Sequence, residues 1–174
     1  MKKILITITA MLAGALVLGF TLPIAAQEIN AGSTIQVLFD NGVTPNMEPR
    51  QAKSQAQLAE WMKNDLVRVF GRYAKSGFQA KSIEKRNDFK PQSNNYLLAV
   101  RIDEYKAGSK AARMIVGYGA GGVTLKIHYE LYSGNQKKLL SDDDSIFSGR
   151  EWINAARKLN ENTAKAVTAK LSNK

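Results

Sequence analysis

From Val123 to Tyr132 apolar and polar residues alternate without a break. Val123, Leu125, Ile127, Tyr129 and Leu131 fall on one side; Thr124, Lys126, His128, Glu130 and Tyr132 fall on the other. Successive side chains of a strand point to opposite faces, so this period fits a strand with one buried face and fits no helix. Ser133-Gly-Asn-Gln136 supplies turn chemistry, and residues 138–147 read as the returning strand of a hairpin. A hairpin alone is marginal in water, so further strands and a covering layer are required.

The rest of the chain supplies both. Residues 34–39 are β-branched and aromatic, with Ile35, Val37 and Phe39 on one face, and Asp40-Asn-Gly-Val-Thr-Pro45 reads as a turn. In residues 50–75 the apolar positions Leu58, Met62, Leu66, Val69 and Tyr73 recur every three or four, which predicts an amphipathic helix stopped near Gly77. Residues 78–84 suit a short strand and 85–95 a polar loop. In residues 96–105, Tyr96, Leu98, Val100 and Ile102 alternate with Leu97, Ala99, Arg101 and Asp103, which suits a central strand. Ser148-Gly-Arg-Glu151 matches a capping box. After it Trp152, Ala155, Ala156, Leu159, Thr163, Ala166 and Val167 mark a helix face running to Leu171, with Trp152 as its anchor. The order is β-α-β-β-β-β-α. It predicts one α+β domain with an antiparallel or mixed sheet and two helices packed on one face.

Ahead of this domain, Lys2 and Lys3 precede an apolar run over residues 4–22, then Pro23 and Ala25-Ala26. That is a signal-peptide layout, with cleavage expected after Ala26, so residues 1–26 would be removed and 27–174 would form the exported domain. An uncleaved membrane anchor is the alternative reading. Loss of Lys2 and Lys3 takes the net charge from +10 to +8. Such a charge suits an anionic partner, a lipid head group or an acidic wall polymer, unless the dispersed lysines serve only solubility. Export argues against nucleic acid, and no RNA-binding aromatic motif is present. The chain has no cysteine, which excludes disulfides, thiolate metal sites, a cysteine nucleophile and a lipidated N-terminal cysteine.

Catalytic constellations are hard to build from what remains. His128 is the single histidine, flanked on its face by Lys126 and Glu130; it reads as a solvated strand residue, with a His-Glu metal pair as the alternative. Asp142-Asp143-Asp144 fails the calcium-loop register, because Ile146, Phe147 and Ile153 occupy the positions that need an acid or amide, a glycine and a glutamate. These three acids suit a solvent face, a bulge or an interrupting loop. Asp103 and Glu104 are adjacent in a strand, hence on opposite faces, and form no acid/base pair. No catalytic residue, metal or cofactor is expected.

The densest cluster of unusual residues is Gly108-Ser-Lys-Ala-Ala-Arg-Met-Ile-Val-Gly-Tyr-Gly-Ala-Gly-Gly122. A strand follows it rather than a helix, which disfavours a phosphate loop. Read as extended backbone, Gly117, Gly119 and Gly121 share a face without Cβ atoms, so that another backbone can approach closely. Two readings stand: a tight internal loop, or an interface with a partner or a second copy. Gly108, Ser109, Ala111, Ala112, Arg113, Gly117, Tyr118, Gly119, Ala120 and Gly121 are the candidate residues for either.

The pattern Gly-Ser-x-Ala-Ala-Arg, then Gly-aromatic-Gly-Ala-Gly, then a strand and turn resembles a bacterial family of small exported proteins and lipoproteins, the domain of unknown function 4410. With its flanking elements the likeness spans most of the region after the leader. A looser resemblance runs to the periplasmic domain of the curli-secretion channel lipoproteins. The first family has no established activity to carry over, and it is the leader together with the lack of a catalytic constellation that leads to the expectation of a non-enzymatic role in the periplasm or at the outer membrane, by binding or scaffolding. The second implies a subunit of an export or channel assembly, with residues 108–122 as interface or membrane hairpin.

Overall fold

Each period-two stretch becomes a strand and each apolar stripe a helix. The computed structural model describes residues 32–72, 77–108, 121–149 and 151–173; the leader lies outside them. The elements are β1 (Ser33–Asp40), α1 (Pro49–Arg72), β2 (Phe78–Ile83), β3 (Asn95–Lys106), β4 (Val123–Tyr132), β5 (Lys138–Ser148) and α2 (Trp152–Ser172). They form one mixed sheet in the order β2-β1-β3-β4-β5, with β1 parallel to β2 and β3 and the remaining pairs antiparallel. The α+β class and the element order match the reading of the sequence.

Both helices cover one face of the sheet. Ile35, Val37, Leu98, Val100, Ile102, Leu125, Ile127 and Leu131 are buried there against Leu58, Met62, Leu66 and Val69 of α1 and Ala155, Ala156, Leu159 and Val167 of α2. The α1 stripe also buries polar Gln55 and Asp65, and the α2 stripe buries Asn160. Gln55 is satisfied by donating from Nε2 to the Asn41 carbonyl at 2.8 Å. Asn160 donates from Nδ2 both to the Met62 carbonyl and to Asp65 Oδ2, each at 3.0 Å, which ties α2 to α1.

Three local expectations change. Trp152 is half-buried rather than a core anchor; it meets Trp61 edge to face, with ring centroids 5.6 Å apart and 90° between planes. The capping box is not used, because Ser148 is the last residue of β5 and Glu151 is the N-cap, without a side-chain capping bond. The alternation in β3 is broken by a register shift between Ile102 and Glu104. Strict alternation would put Tyr105 beside Arg101 on the outer face. The extra residue returns it to the helix side, where it is 6% exposed.

The outer face of the sheet is partly covered too. From β1 the chain reaches β2 through α1, then returns past β1 to β3. Right-handed crossovers in opposite directions run over opposite faces, so the 84–94 connection crosses beneath the sheet. It carries a single 3-10 turn, Arg86–Asp88, whose Arg86 and Asn87 lie beside Leu97, and Gln36, Ile83 and Leu97 of this face are buried. Gln36 is 1% exposed, and its side-chain amide has no hydrogen-bond partner among the described residues.

Candidate functional site

The glycine-rich connection joins two antiparallel neighbours, which pair as far as Lys106 with Thr124. Its ends meet. Gly108 has φ +73° and Gly121 φ +66°, values that side chains other than glycine rarely adopt. A Cβ on Gly108 would sit 2.3 Å from the Gly121 carbonyl oxygen. At this neck two backbones touch, a close approach that glycine permits. Ser109, Ala111, Ala112, Arg113, Gly117, Tyr118, Gly119 and Ala120 lie outside the described residues. Beside the neck the ring of Phe147 lies over Gly122 and is 63% exposed.

On the outer face, β4 and β5 place His128 opposite Asp143. His128 Nδ1 is 3.0 Å from Asp143 Oδ1, and Nε2 is 3.9 Å from Glu130 Oε1. Only the Asp143 contact is of hydrogen-bond length, and among the described residues no group of three His, Asp or Glu side chains is placed to hold a metal ion. All three members of the acidic run lie within β5, in register with β4. Asp142 accepts from the Tyr129 hydroxyl at 3.3 Å, and Asp144 accepts from Asn162 of α2 at 2.9 Å. Asp103 pairs with Arg101 at 2.8 Å and Glu104 with Lys106 at 2.5 Å.

Glu130 is the most perturbed acid of this face. Hydrogen bonds from Lys138 and from the Tyr132 hydroxyl (2.6 Å) take its pKa from 4.5 down to about 2. The folded value lies below the unfolded one, so the pairing stabilises the fold above pH 4.5 and is lost as pH falls through about 2. Solvent screening reduces this contribution to about 1 kcal/mol. Glu130→Gln should therefore lower stability at pH 7 by roughly that amount and flatten its decline between pH 5 and 2. Urea titrations across that range read it; a parallel pH dependence in both proteins would show that Glu130 contributes nothing.

The crossing segment adds a residue that the sequence did not single out. Arg86 extends over Tyr132, its guanidinium carbon 4.7 Å from the ring centroid, and Lys138 Nζ stands 5.9 Å from the same centroid. Two cavities adjoin at Arg86. One, of about 220 Å³, is lined by Asn87, Phe89, Leu97, Tyr132 and Gln136; the other, of about 230 Å³, runs past Leu38 and Ala99 to Arg101, His128 and Glu130. No spacing rule links residue 86 to residue 132. Only the crossover brings them together.

The helical layer carries a different charge balance. In α1, Arg50, Lys53, Lys63, Arg68 and Arg72 stand against Glu60 and Asp65; in α2, Arg157, Lys158, Lys165 and Lys170 stand against Glu161. Lys63, Arg68 and Arg72 have acidic partners. Among the described residues Arg50, Lys53, Arg157, Lys158, Lys165 and Lys170 have none. A groove of about 280 Å³ between the helices brings together Arg72, Lys158 and Lys165 around Glu161. No helix among the described residues is long and apolar enough to cross a membrane.

Comparison with known proteins gives a family. Residues 21–142 match the model of the domain of unknown function DUF4410. No curated protein matches the chain. Among solved structures, the PelC dodecamer of Paraburkholderia phytofirmans is similar at 14% identity, covering 82% of this chain and 89% of that one, with a TM-score of 0.49. A point variant of that protein, also a dodecamer, has the same identity and score and covers 81% and 90%. The hypothetical protein CT253 from Chlamydia trachomatis is 10% identical, covers 81% and 98%, and has a TM-score of 0.50. The last likeness is one of fold.

Proposed function

The chain belongs to the DUF4410 family, and from that premise we propose that it is an exported, non-enzymatic protein of the bacterial envelope that docks on an anionic surface. The observation that carries this reading is the helical layer. Its exposed cations outnumber its acids in both helices, and three of them converge in one groove around a single glutamate. The charged pairs of the outer sheet face are, by contrast, largely matched. Export rests on the leader, whose removal leaves this basic domain. Action by binding fits acids on the sheet that have their own bases, Asp103 with Arg101, Glu104 with Lys106 and Glu130 with Lys138.

Each basic residue close to an anionic membrane contributes about 1 kcal/mol, and the attraction fades within a Debye length. Lys158→Gln with Lys165→Gln should therefore weaken binding to vesicles rich in anionic lipid by roughly 30-fold. Zwitterionic vesicles should bind neither protein, and about 0.5 M salt should release the wild type. Sedimentation with vesicles reads all three. Equal binding by the variant would remove the helical layer from the interaction. N-terminal mass spectrometry on protein from its native host should find Gln27 first, in the envelope fraction; an intact Met1 on most molecules would refute export.

A further inference from the structure

We propose that the groove at Arg86, on the face opposite the helices, binds a carboxylated sugar unit of an acidic glycan. Arg86 is held over the Tyr132 ring at 4.7 Å, and among the described residues no carboxylate pairs with it. A cation–π contact uses none of the guanidinium N–H donors, so a donor edge remains for a ligand. That edge presents two parallel donors, which match the two oxygens of a carboxylate. Asn87 and Gln136 add carboxamides that both donate and accept, as sugar hydroxyls require. Phe89 and Leu97 supply the apolar floor on which the C–H face of a sugar ring rests.

The dimensions select among ligands. About 220 Å³ is below the usual range for drug-sized molecules, roughly 300 Å³ and upward, and suits one small ring. The second chamber, of about 230 Å³, continues past Arg86 to where Arg101 and His128 stand with Asp40 and Glu130; it gives the ring of the neighbouring unit a place, while the carboxylate that is recognised is the one at Arg86. Inorganic phosphate fits less well, because Lys138, the other cation over Tyr132, is committed to Glu130. The groove also crosses β1, β3 and β4 rather than following a sheet edge, so a peptide cannot enter it by strand addition.

This inference rests on the reading of the chain as a binding protein, but on neither the leader nor the helical layer. Digalacturonate, maltose and inorganic phosphate are titrated into the purified protein, with binding read by calorimetry and by amide shifts. Saturable binding of digalacturonate is expected, with maltose at least tenfold weaker. Arg86→Gln and Arg86→Lys should each weaken digalacturonate about tenfold or more, since lysine keeps the charge and loses the two-pronged edge. Arg86 is exposed, so both variants should keep the wild-type melting temperature. Lack of digalacturonate binding, unchanged affinity in either variant, or phosphate competing at equal concentration overturns the proposal. If digalacturonate fails while anionic vesicles still bind, the groove is wrong and the helical-face reading stands. Loss of vesicle binding with digalacturonate retained gives the converse.

Discussion

Asn160→Leu is expected to lower the unfolding free energy by about 2–4 kcal/mol, the cost of stranding a buried charge and its partners. Asn160 is 1% exposed and donates to the Met62 carbonyl and to Asp65 Oδ2. Asp65 is itself 4% exposed, and its other oxygen is held by Arg68 at 2.5 Å. Leucine fills a similar volume but leaves Oδ2 without a donor in an apolar seam between two helices. Arg68 cannot replace it, because its side chain is two-thirds exposed and approaches Oδ1 from the solvent side. The double variant Asn160→Leu with Asp65→Leu removes donor and acceptor together, and should recover most of the loss. Chemical denaturation of the two singles and the double gives the coupling. A single-variant loss below about 1 kcal/mol would mean that water reaches Oδ2, and that the seam is looser than the distances imply.

Asn160 also shows where a sequence stops being legible. Its position in the α2 stripe follows from period 3.6, as Leu159 and Thr163 do. That an asparagine there is buried follows only from Asp65, 95 residues away. Short-range signals served the rest well: the alternation of β4, the turn at residues 133–136 and both helical stripes emerged, with Tyr73, the last residue of the first stripe, outside the described residues. Where a local motif met a longer-range constraint, the constraint won. The capping box at residues 148–151 yielded to strand pairing, since Ser148 bonds into the β4 ladder opposite Val123. Period two in β3 yielded to a bulge that keeps Tyr105 in the core. A second register shift, between Leu131 and Tyr132, sets the pairing of His128 with Asp143, which a regular hairpin from the same turn would have displaced. The Arg86 groove was invisible for a stronger reason. It exists because β2 lies outside β1, so that the return to β3 passes beneath the sheet.

Gly108→Val should be the most damaging change at the neck of the glycine-rich connection, at a cost of about 2–4 kcal/mol. Two penalties combine. At φ +73° a β-branched residue is strained by roughly 1–2 kcal/mol. Its Cβ would also press within 2.3 Å of the Gly121 carbonyl oxygen and 2.9 Å of the Gly122 carbonyl. Both obstacles are backbone atoms of the opposing strand end, so neither can turn aside as a side chain would. Relief requires β3 and β4 to part where they finish pairing, next to Lys106 and Thr124. Gly71→Ala is the control: Gly71 lies within α1, nothing stands within 4 Å of its added Cβ, and helix propensity should raise stability by about 0.5–1 kcal/mol. Thermal and urea unfolding measure both, with sedimentation velocity reporting the assembly state. If Gly108→Val keeps its melting temperature and loses only an oligomer or a captured partner, the neck is an interface and the internal reading fails. Opposite shifts in the two variants, with assembly unchanged, would tie the neck's glycines to the contact between backbones.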